Sequence, residues 1–369
     1  MACKGSGVRI PLAPPRAPTL RLALPRAGTM ERVVTTLKPV WHLVRRYWAE
    51  LFAAISLLAL IVGVNPLQLG HVFGRLDWRI ALLMVPVVFA LYLCRGMAWL
   101  VALRAVGEHV GFVQTQVIEL AGQVMIVLPM GDLARVAMVR NTDRERGVGT
   151  LTATVAIQEL LFMLFVSFGA LPRLAEHPGV ALIMILTMLG FLSVFVILLW
   201  EAAYERAVRL VEHVKVLRRF DKQLHEIRPA FVRLCMPRNL IPIAFFQAVA
   251  ALLSFLLFFL AMRSIGLTSI SYVDAVFVLG VSYTFAAISF LPLGIGAFEG
   301  LLTVILLTLG IPPAVGAATG LIYRGYNDVL MALIGLPALL YVRARQRAGT
   351  WRSHTGAAQS ELVAAAAPE

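Results

Sequence analysis

Six charged residues stand inside or beside apolar stretches of this chain, and a charge in such surroundings needs a reason. Arg95 lies in Tyr92-Leu93-Cys94-Arg95-Gly96-Met97-Ala98-Trp99, and Asp132 and Arg135 follow Leu128-Pro129-Met130-Gly131. Glu159 follows Gln158, Glu299 ends Gly294-Ile295-Gly296-Ala297-Phe298-Glu299, and Arg324 opens Arg324-Gly325-Tyr326-Asn327-Asp328. A charged side chain at the centre of a bilayer costs about 2.5–3.5 kcal/mol on insertion scales, so these groups should face protein or water. The chemistry they offer is recognition, because a guanidinium is built to hold phosphate or carboxylate. Each also has a plainer explanation. Arg95 can snorkel to the nearer interface, and Asp328 can neutralise Arg324 one turn on. Asp132 and Arg135 are spaced as an ion pair. Glu299 suits the start of a helix, where the free amides could equally receive an anionic headgroup. Glu119 and Glu159, both in apolar surroundings, can be paired, protonated or part of a polar groove.

Nothing in the chain points to covalent chemistry. The seven histidines are scattered without metal-ligand spacing, and the three cysteines, Cys3, Cys94 and Cys235, form neither a CxxC nor a Cys/His pattern. No phosphate-binding loop, nucleophile elbow or dinucleotide fingerprint is present. The sequence therefore predicts no enzyme, no metal, no cofactor and no ATP-driven pump.

The elements that must position these charges are membrane helices. The chain has 369 residues, 60% of them hydrophobic and only 14% charged, where soluble domains run near 45–50% and about 25%. Apolar blocks at 48–64, 79–103, 148–171, 180–200, 240–262 and 314–342 approach or exceed the ~20 residues that cross ~30 Å of hydrocarbon. The net charge of +13 is dispersed between these blocks, which argues against nucleic acid as a partner and for topology signals and anionic headgroups. Of 33 Lys and Arg, only Arg75, Arg79, Arg173 and Arg263 fall outside if the N-terminus is cytoplasmic, with Arg95 and Arg324 inside blocks. The positive-inside rule then predicts a multi-pass protein of the bacterial inner membrane with both termini in the cytoplasm. Residues 1–40 read as a disordered arm, with Met30 a credible true start, 201–238 as a cytoplasmic basic segment, and 346–369 as a disordered tail.

Two further stretches, 112–139 and 272–309, are each broken by proline and glycine. Pro lacks an amide donor and Gly disfavours helix, so Pro129 and Gly131 in one, and Pro292, Gly294 and Gly296 in the other, mark turns. The returning arms are too short to span: residues 297–309 cover only about 20 Å as helix. Each stretch reads as a re-entrant hairpin. The intervals from turn to the next charged helix are alike, 30 residues from 128 to 158 and 33 from 291 to 324. The predicted fold is thus an all-α polytopic bundle, 41–345, of two inverted repeats at about 79–171 and 240–342, each with a broken hairpin.

The order of Arg95-x-x-x-Trp99, Pro129-x-Gly131-Asp132-x-x-Arg135, Pro292-x-Gly294-x-Gly296-x-x-Glu299 and Tyr323-Arg324 resembles the lysylphosphatidylglycerol synthase transmembrane-domain family over about residues 40–345. The resemblance implies a lipid-flippase-like fold whose functional positions correspond here to Asp132, Arg135, Glu299 and Arg324. Relatives are associated with aminoacylated phosphatidylglycerol, hopanoid lipids or glycolipid assembly. Where relatives usually carry Glu-Arg and an acid three residues on, this chain has Gln158, Glu159 and Phe162, a departure at the position tied to lysyl-lipid transport. The soluble acyltransferase of the two-part synthases has no counterpart after Val342, so the chain is not expected to make a lipid. The leading expectation is a translocase for a polar-headed phospholipid, hopanoid or glycolipid. The alternatives are an ion-coupled small-solute transporter and a non-transporting subunit that holds a lipid- or glycan-synthesis enzyme through residues 201–238.

Overall fold

In a computed structural model of the chain, residues 66–125, 133–140, 147–212, 221–289, 294 and 296–348 are described. They form helices, with no strand among them. The arm, the block at 48–64 and residues 349–369 lie outside the described residues, as do Pro129, Gly131, Asp132 and Pro292.

A short helix α1, Pro66–Phe73, precedes α2, Trp78–Ala105. Asp77 starts α2 by accepting from the Arg79 amide at 2.9 Å, which satisfies one of the donors a helix start leaves free. Two short helices follow, α3 (Phe112–Gln123) and α4 (Ala134–Arg140). Then come the long α5 (Val148–Gly169), the single turn α6 (Leu171–Leu174) and α7 (Pro178–Leu199). The polar helices α8 (Glu201–Glu212) and α9 (Asp221–Leu234) separate these from α10, Pro237–Ser264, which opens on a first-turn proline. Another pair of shorter helices comprises α11 (Tyr272–Ile288) and α12 (Ala297–Thr308). The last rod is α13 (Pro313–Arg324), a π-helical turn (Gly325–Leu330) and α14 (Met331–Arg347).

Five of these rods are long and apolar enough to cross a membrane: α2, α5, α7, α10 and the continuous Pro313–Arg347. They match the expected blocks to within a few residues, except that the last runs on to Arg347. At ~1.5 Å per residue neither α3 nor α12, with twelve residues each, reaches across ~30 Å of hydrocarbon.

The most extensive pairing is between α2 and α10. They run antiparallel, and the Asp77 amide at the start of α2 donates to the Ser264 carbonyl at the end of α10 at 2.6 Å. Around this pair, α3 packs on α2 and α14, and α11 packs on α10 and α5. Both of those outer contacts close through a glycine. A Cβ at Gly335 would lie 2.1 Å from the Leu120 carbonyl oxygen on α3, and one at Gly280 would lie 2.7 Å from the Val166 carbonyl oxygen on α5. Small residues let membrane helices approach closely enough to gain dispersion energy that lipid cannot match. Helix α7 differs from the other spans: Met184 is its one buried residue, and all its leucines and isoleucines but Leu198 are exposed. The polar helix α9 closes one end of the bundle. Its Phe231 and Leu234 pack with Ala98, Ile157 and Ile243 of three spans, and its Glu226 accepts from the Gly149 amide at 3.0 Å.

Gly335→Ala should therefore lower the thermal midpoint of the detergent-solubilised protein, with an overpacking cost of about 1–3 kcal/mol. Gly300→Ala, where an added Cβ meets nothing within 4 Å, should leave the midpoint unchanged or raise it.

Candidate functional site

Four elements bring four charges together. Arg95 from α2 and Arg135 from α4 meet Glu119 from α3 and Glu159 from α5. Arg95 Nη2 lies 2.6 Å from Glu159 Oε1, and Arg135 Nη2 lies 3.0 Å from the same oxygen. Arg135 Nη1 bonds Glu119 Oε2, and Arg95 Nε stands 3.6 Å from Glu119 Oε1. The guanidinium of Arg95 also covers the Phe162 ring at 4.9 Å, and that of Arg135 covers Trp99 at 5.3 Å. Trp99 is held in turn by its indole N–H on Thr154 Oγ1 at 3.1 Å. Arg135 reaches the cluster by crossing α3 at Gly122, where a Cβ would lie 2.5 Å from its Cγ. Arg95 thus faces protein rather than snorkelling. Glu119 and Arg135 are fully buried, while the Glu159 side chain keeps 25% of its surface exposed.

A second cluster forms at the other hairpin. Glu299, near the start of α12, accepts from the Gly296 amide at 2.7 Å and pairs with Arg324 Nε. Arg324 Nη1 donates to Asp328 Oδ2 at 3.0 Å, and the Asn327 side chain donates to Asp328 Oδ1 at 2.7 Å. The Arg324 guanidinium lies over Phe298 at 4.7 Å. Glu299 therefore caps its helix, as its position suggested, and also binds an arginine. Arg324 takes its i+4 partner Asp328 and, in addition, a carboxylate from another helix. Gly294 and Gly296 have φ of 60° and 85°, the left-handed region that favours glycine.

Neutral polar groups join the two clusters. The Tyr92 hydroxyl, on α2 one turn before Arg95, lies 2.9 Å from the Asn327 carbonyl and 3.2 Å from Gln123 Oε1. Asn327 belongs to the π-helical turn, whose widened ladder offers main-chain groups to other partners. Its side chain also reaches the Tyr283 hydroxyl at 3.4 Å. Tyr283 bonds Tyr323 at 3.0 Å, and Tyr323 bonds Ser254 of α10 at 2.8 Å. A polar strand therefore crosses the middle of an otherwise apolar bundle.

The profile of the family described as lysylphosphatidylglycerol synthase TM region matches residues 47–335. This chain belongs to that family. It is accordingly a multi-pass helical membrane protein, and the matched region contains both pairs of shorter helices and both charged clusters. No curated protein matches the chain.

Of the residues singled out from sequence, this member of the lysylphosphatidylglycerol synthase TM-region family brings together Arg95, Arg135 and Glu159, and separately Glu299 and Arg324. Asp132, Pro129, Gly131 and Pro292 lie outside the described residues. Sequence reasoning finds Glu119 as an acid in apolar surroundings but not as the centre of the first cluster. It misses Tyr92, Gln123, Tyr283 and Asn327; their only signal is a row of polar side chains, at helical spacing, on the faces that also carry the charges. Among the described residues no three His, Cys, Asp or Glu side chains could hold a metal together. A surface cavity of about 370 Å³ lies apart from the clusters, between α8 and α9, lined by residues including Glu201, Tyr204, Arg209, His225 and Arg228.

Removing one partner of a buried pair strands the other, at a cost of about 3–5 kcal/mol. Arg135→Met should lower the thermal midpoint sharply, and Arg135→Met with Glu119→Gln should recover part of the loss. Equal midpoints for the single and double variants would show that the pair is not coupled.

Proposed function

We propose that this protein moves a polar-headed lipid across the bacterial inner membrane, with its termini in the cytoplasm and its charged clusters forming the headgroup path. The observation that carries this reading is the buried polar strand linking the two clusters through the core of a membrane bundle. Charged groups at that depth oppose insertion and persist where they serve a path or site. An excluded headgroup could enter by exchanging for one partner of an ion pair, since phosphate and carboxylate compete for the same guanidinium geometry. The partly exposed edges of the clusters, at Glu159, Arg324 and Asp328, favour entry from the flank.

The packing supports a two-fold organisation as part of the same proposal. Helix α2 and the pair α3–α4 correspond to α10 and the pair α11–α12, and α5 corresponds to the rod α13–α14. The contacts then exchange in kind: α3 on α14 mirrors α11 on α5, each closed by a glycine. Glu159 and Arg324 each lie eleven residues into their helices, counted from Val148 and Pro313. In this proposal the two hairpins enter from opposite faces, as the parity of the intervening spans requires, and alternate access to the clusters. The membrane lipid is the partner; the α8–α9 surface is available to a lipid- or glycan-synthesis enzyme.

One observation favours an ion-coupled version. In the second cluster two carboxylates, Glu299 and Asp328, share Arg324, a balance that suits a proton or cation as co-substrate.

The test is headgroup-dependent lipid movement in proteoliposomes. Wild type should accelerate translocation, and Arg324→Ala or Glu299→Gln should slow it by about tenfold or more, the loss of one charge-assisted contact in the transition state. Wild-type rates no faster than those of empty vesicles would overturn the lipid reading. Uptake of a water-soluble substrate driven by a proton or sodium gradient would replace it with the ion-coupled solute transporter.

A further inference from the structure

Two buried amides carry unmet polar atoms at one depth in the bundle. Gln247 on α10 is fully buried, and among the described residues neither its Oε1 nor its Nε2 has a hydrogen-bond partner. Exchanging the two atoms by flipping the amide therefore changes nothing. Gln158 on α5 is fully buried as well. Its Nε2 donates to the Arg95 carbonyl at 2.8 Å, but its Oε1 is without a partner. Native proteins bond nearly all such atoms, and each one left unmet opposes folding.

Their positions are related. Gln158 is ten residues from the start of α5 at Val148, Gln247 is ten from the start of α10 at Pro237, and Arg95 is ten from the end of α2 at Ala105. Those three helix ends lie on one side of the bundle, so the three residues share a level about 15 Å in from that side. The apolar layer beside them joins the same helices, through Ala98, Ile157 and Ile243. Further along the same face of α10, Ser254 holds Tyr323 and so the strand that leads to the second cluster. The amides therefore flank the charged clusters at one level inside the bundle.

We infer that Gln158 and Gln247 bind the neutral, hydroxyl-bearing part of a lipid headgroup whose charge is carried by the arginines. This rests on the translocation reading and names the class of headgroup it would take. An amide offers a donor and an acceptor side by side, which matches a hydroxyl that must donate and accept; it cannot neutralise a charge. Both side chains are closed off in this state, so they meet the headgroup when α2, α5 and α10 part. Two buried leucines at these positions would pack without any unmet polar atom. Retaining glutamine at both makes sense if a ligand completes the bonds.

The test compares phosphatidylglycerol with phosphatidylpropanol, which have the same charge and nearly the same size but differ in the two headgroup hydroxyls. Thermal stabilisation of the detergent-solubilised protein reads binding without requiring transport. Wild type should bind phosphatidylglycerol about tenfold more tightly; Gln247→Leu and Gln158→Leu should each lose part of that preference, and the double variant should bind both lipids alike, at the phosphatidylpropanol level. Gln247→Leu should itself raise the midpoint of the lipid-free protein, so folding is not the obstacle, and Gln247→Asn serves as a polar second variant with a shortened reach. Equal stabilisation of wild type by the two lipids, the outcome if the amides hold only water, overturns the proposal. So does full stabilisation by free glycerol 3-phosphate, which would make the ligand a soluble one. If lipid discrimination is found and no translocation occurs, the amide site stands and the transport reading falls.

Discussion

Charge inside a hydrocarbon slab must be neutralised in place, and in this protein that requirement ties the short helices to the spans at both charged clusters. Arg95, Glu119, Arg135 and Glu159 come from four separate elements, and none of those elements can leave without stranding a charge. The short helices α3 and α4 pack as well as pair. Ile118 and Ala121 of α3 and Val136 and Val139 of α4 join one apolar cluster with Trp99, Leu151 and Leu339, and Glu119 and Arg135 tie the same helices to α2 and α5 through charge. The same logic fixes the second hairpin, where Glu299 ties the start of α12 to Arg324.

The glycines make this arrangement dense enough to exclude competing partners. Gly122 gives the aliphatic stem of Arg135 a way across α3, so the guanidinium arrives already aimed at Glu119 and Glu159. Gly335 and Gly280 let the outer helices contact backbone carbonyls directly. A guanidinium held on an aromatic face, as Arg95 is on Phe162 and Arg324 on Phe298, keeps a contact worth about 0.5–2 kcal/mol whichever carboxylate it pairs with. Aromatic support of this kind makes the exchange of partners cheaper than it would be for an arginine held by carboxylates alone.

Much of this is legible in the sequence, and the reason is energetic. A membrane span announces itself by length and hydropathy, and an arginine within one is conspicuous because it is costly. Hence five spans, both short-armed pairs and five of the six singled-out charged residues can be read from the order of the residues alone. Glu119 is harder to rank: it lies in a short helix of mixed polarity, where an acid has cheap alternatives such as an exposed position. Tyr92, Gln123, Asn327 and Tyr283 escape notice for the opposite reason. Neutral polar side chains cost little in a span, and local pattern does not distinguish a hydroxyl bonded across the bundle from one bonded to its own helix, as Ser282 and Thr303 are. The π-helical turn leaves no signal either, because Gly325-Tyr326-Asn327-Asp328 suits an α-helix equally well.

That turn is also where the two clusters become one system. Arg324 immediately precedes it and Asp328 lies within it, both in the second cluster, and its Asn327 carbonyl receives Tyr92 from the helix that carries Arg95. A regular α-helix would commit the Asn327 carbonyl to the amide four residues on. A π turn shifts that partner and leaves the carbonyl within reach of Tyr92 at modest cost. Tightening it to α geometry would withdraw the acceptor and change how Arg324 and Asp328 face Glu299. The last span can therefore register the state of the first cluster through a single hydroxyl. The alternating exposure proposed for the clusters would need a connection of this kind, strong enough to be ordered and weak enough to be exchanged, and a neutral hydrogen bond of ~1 kcal/mol net has that strength where a buried ion pair would not.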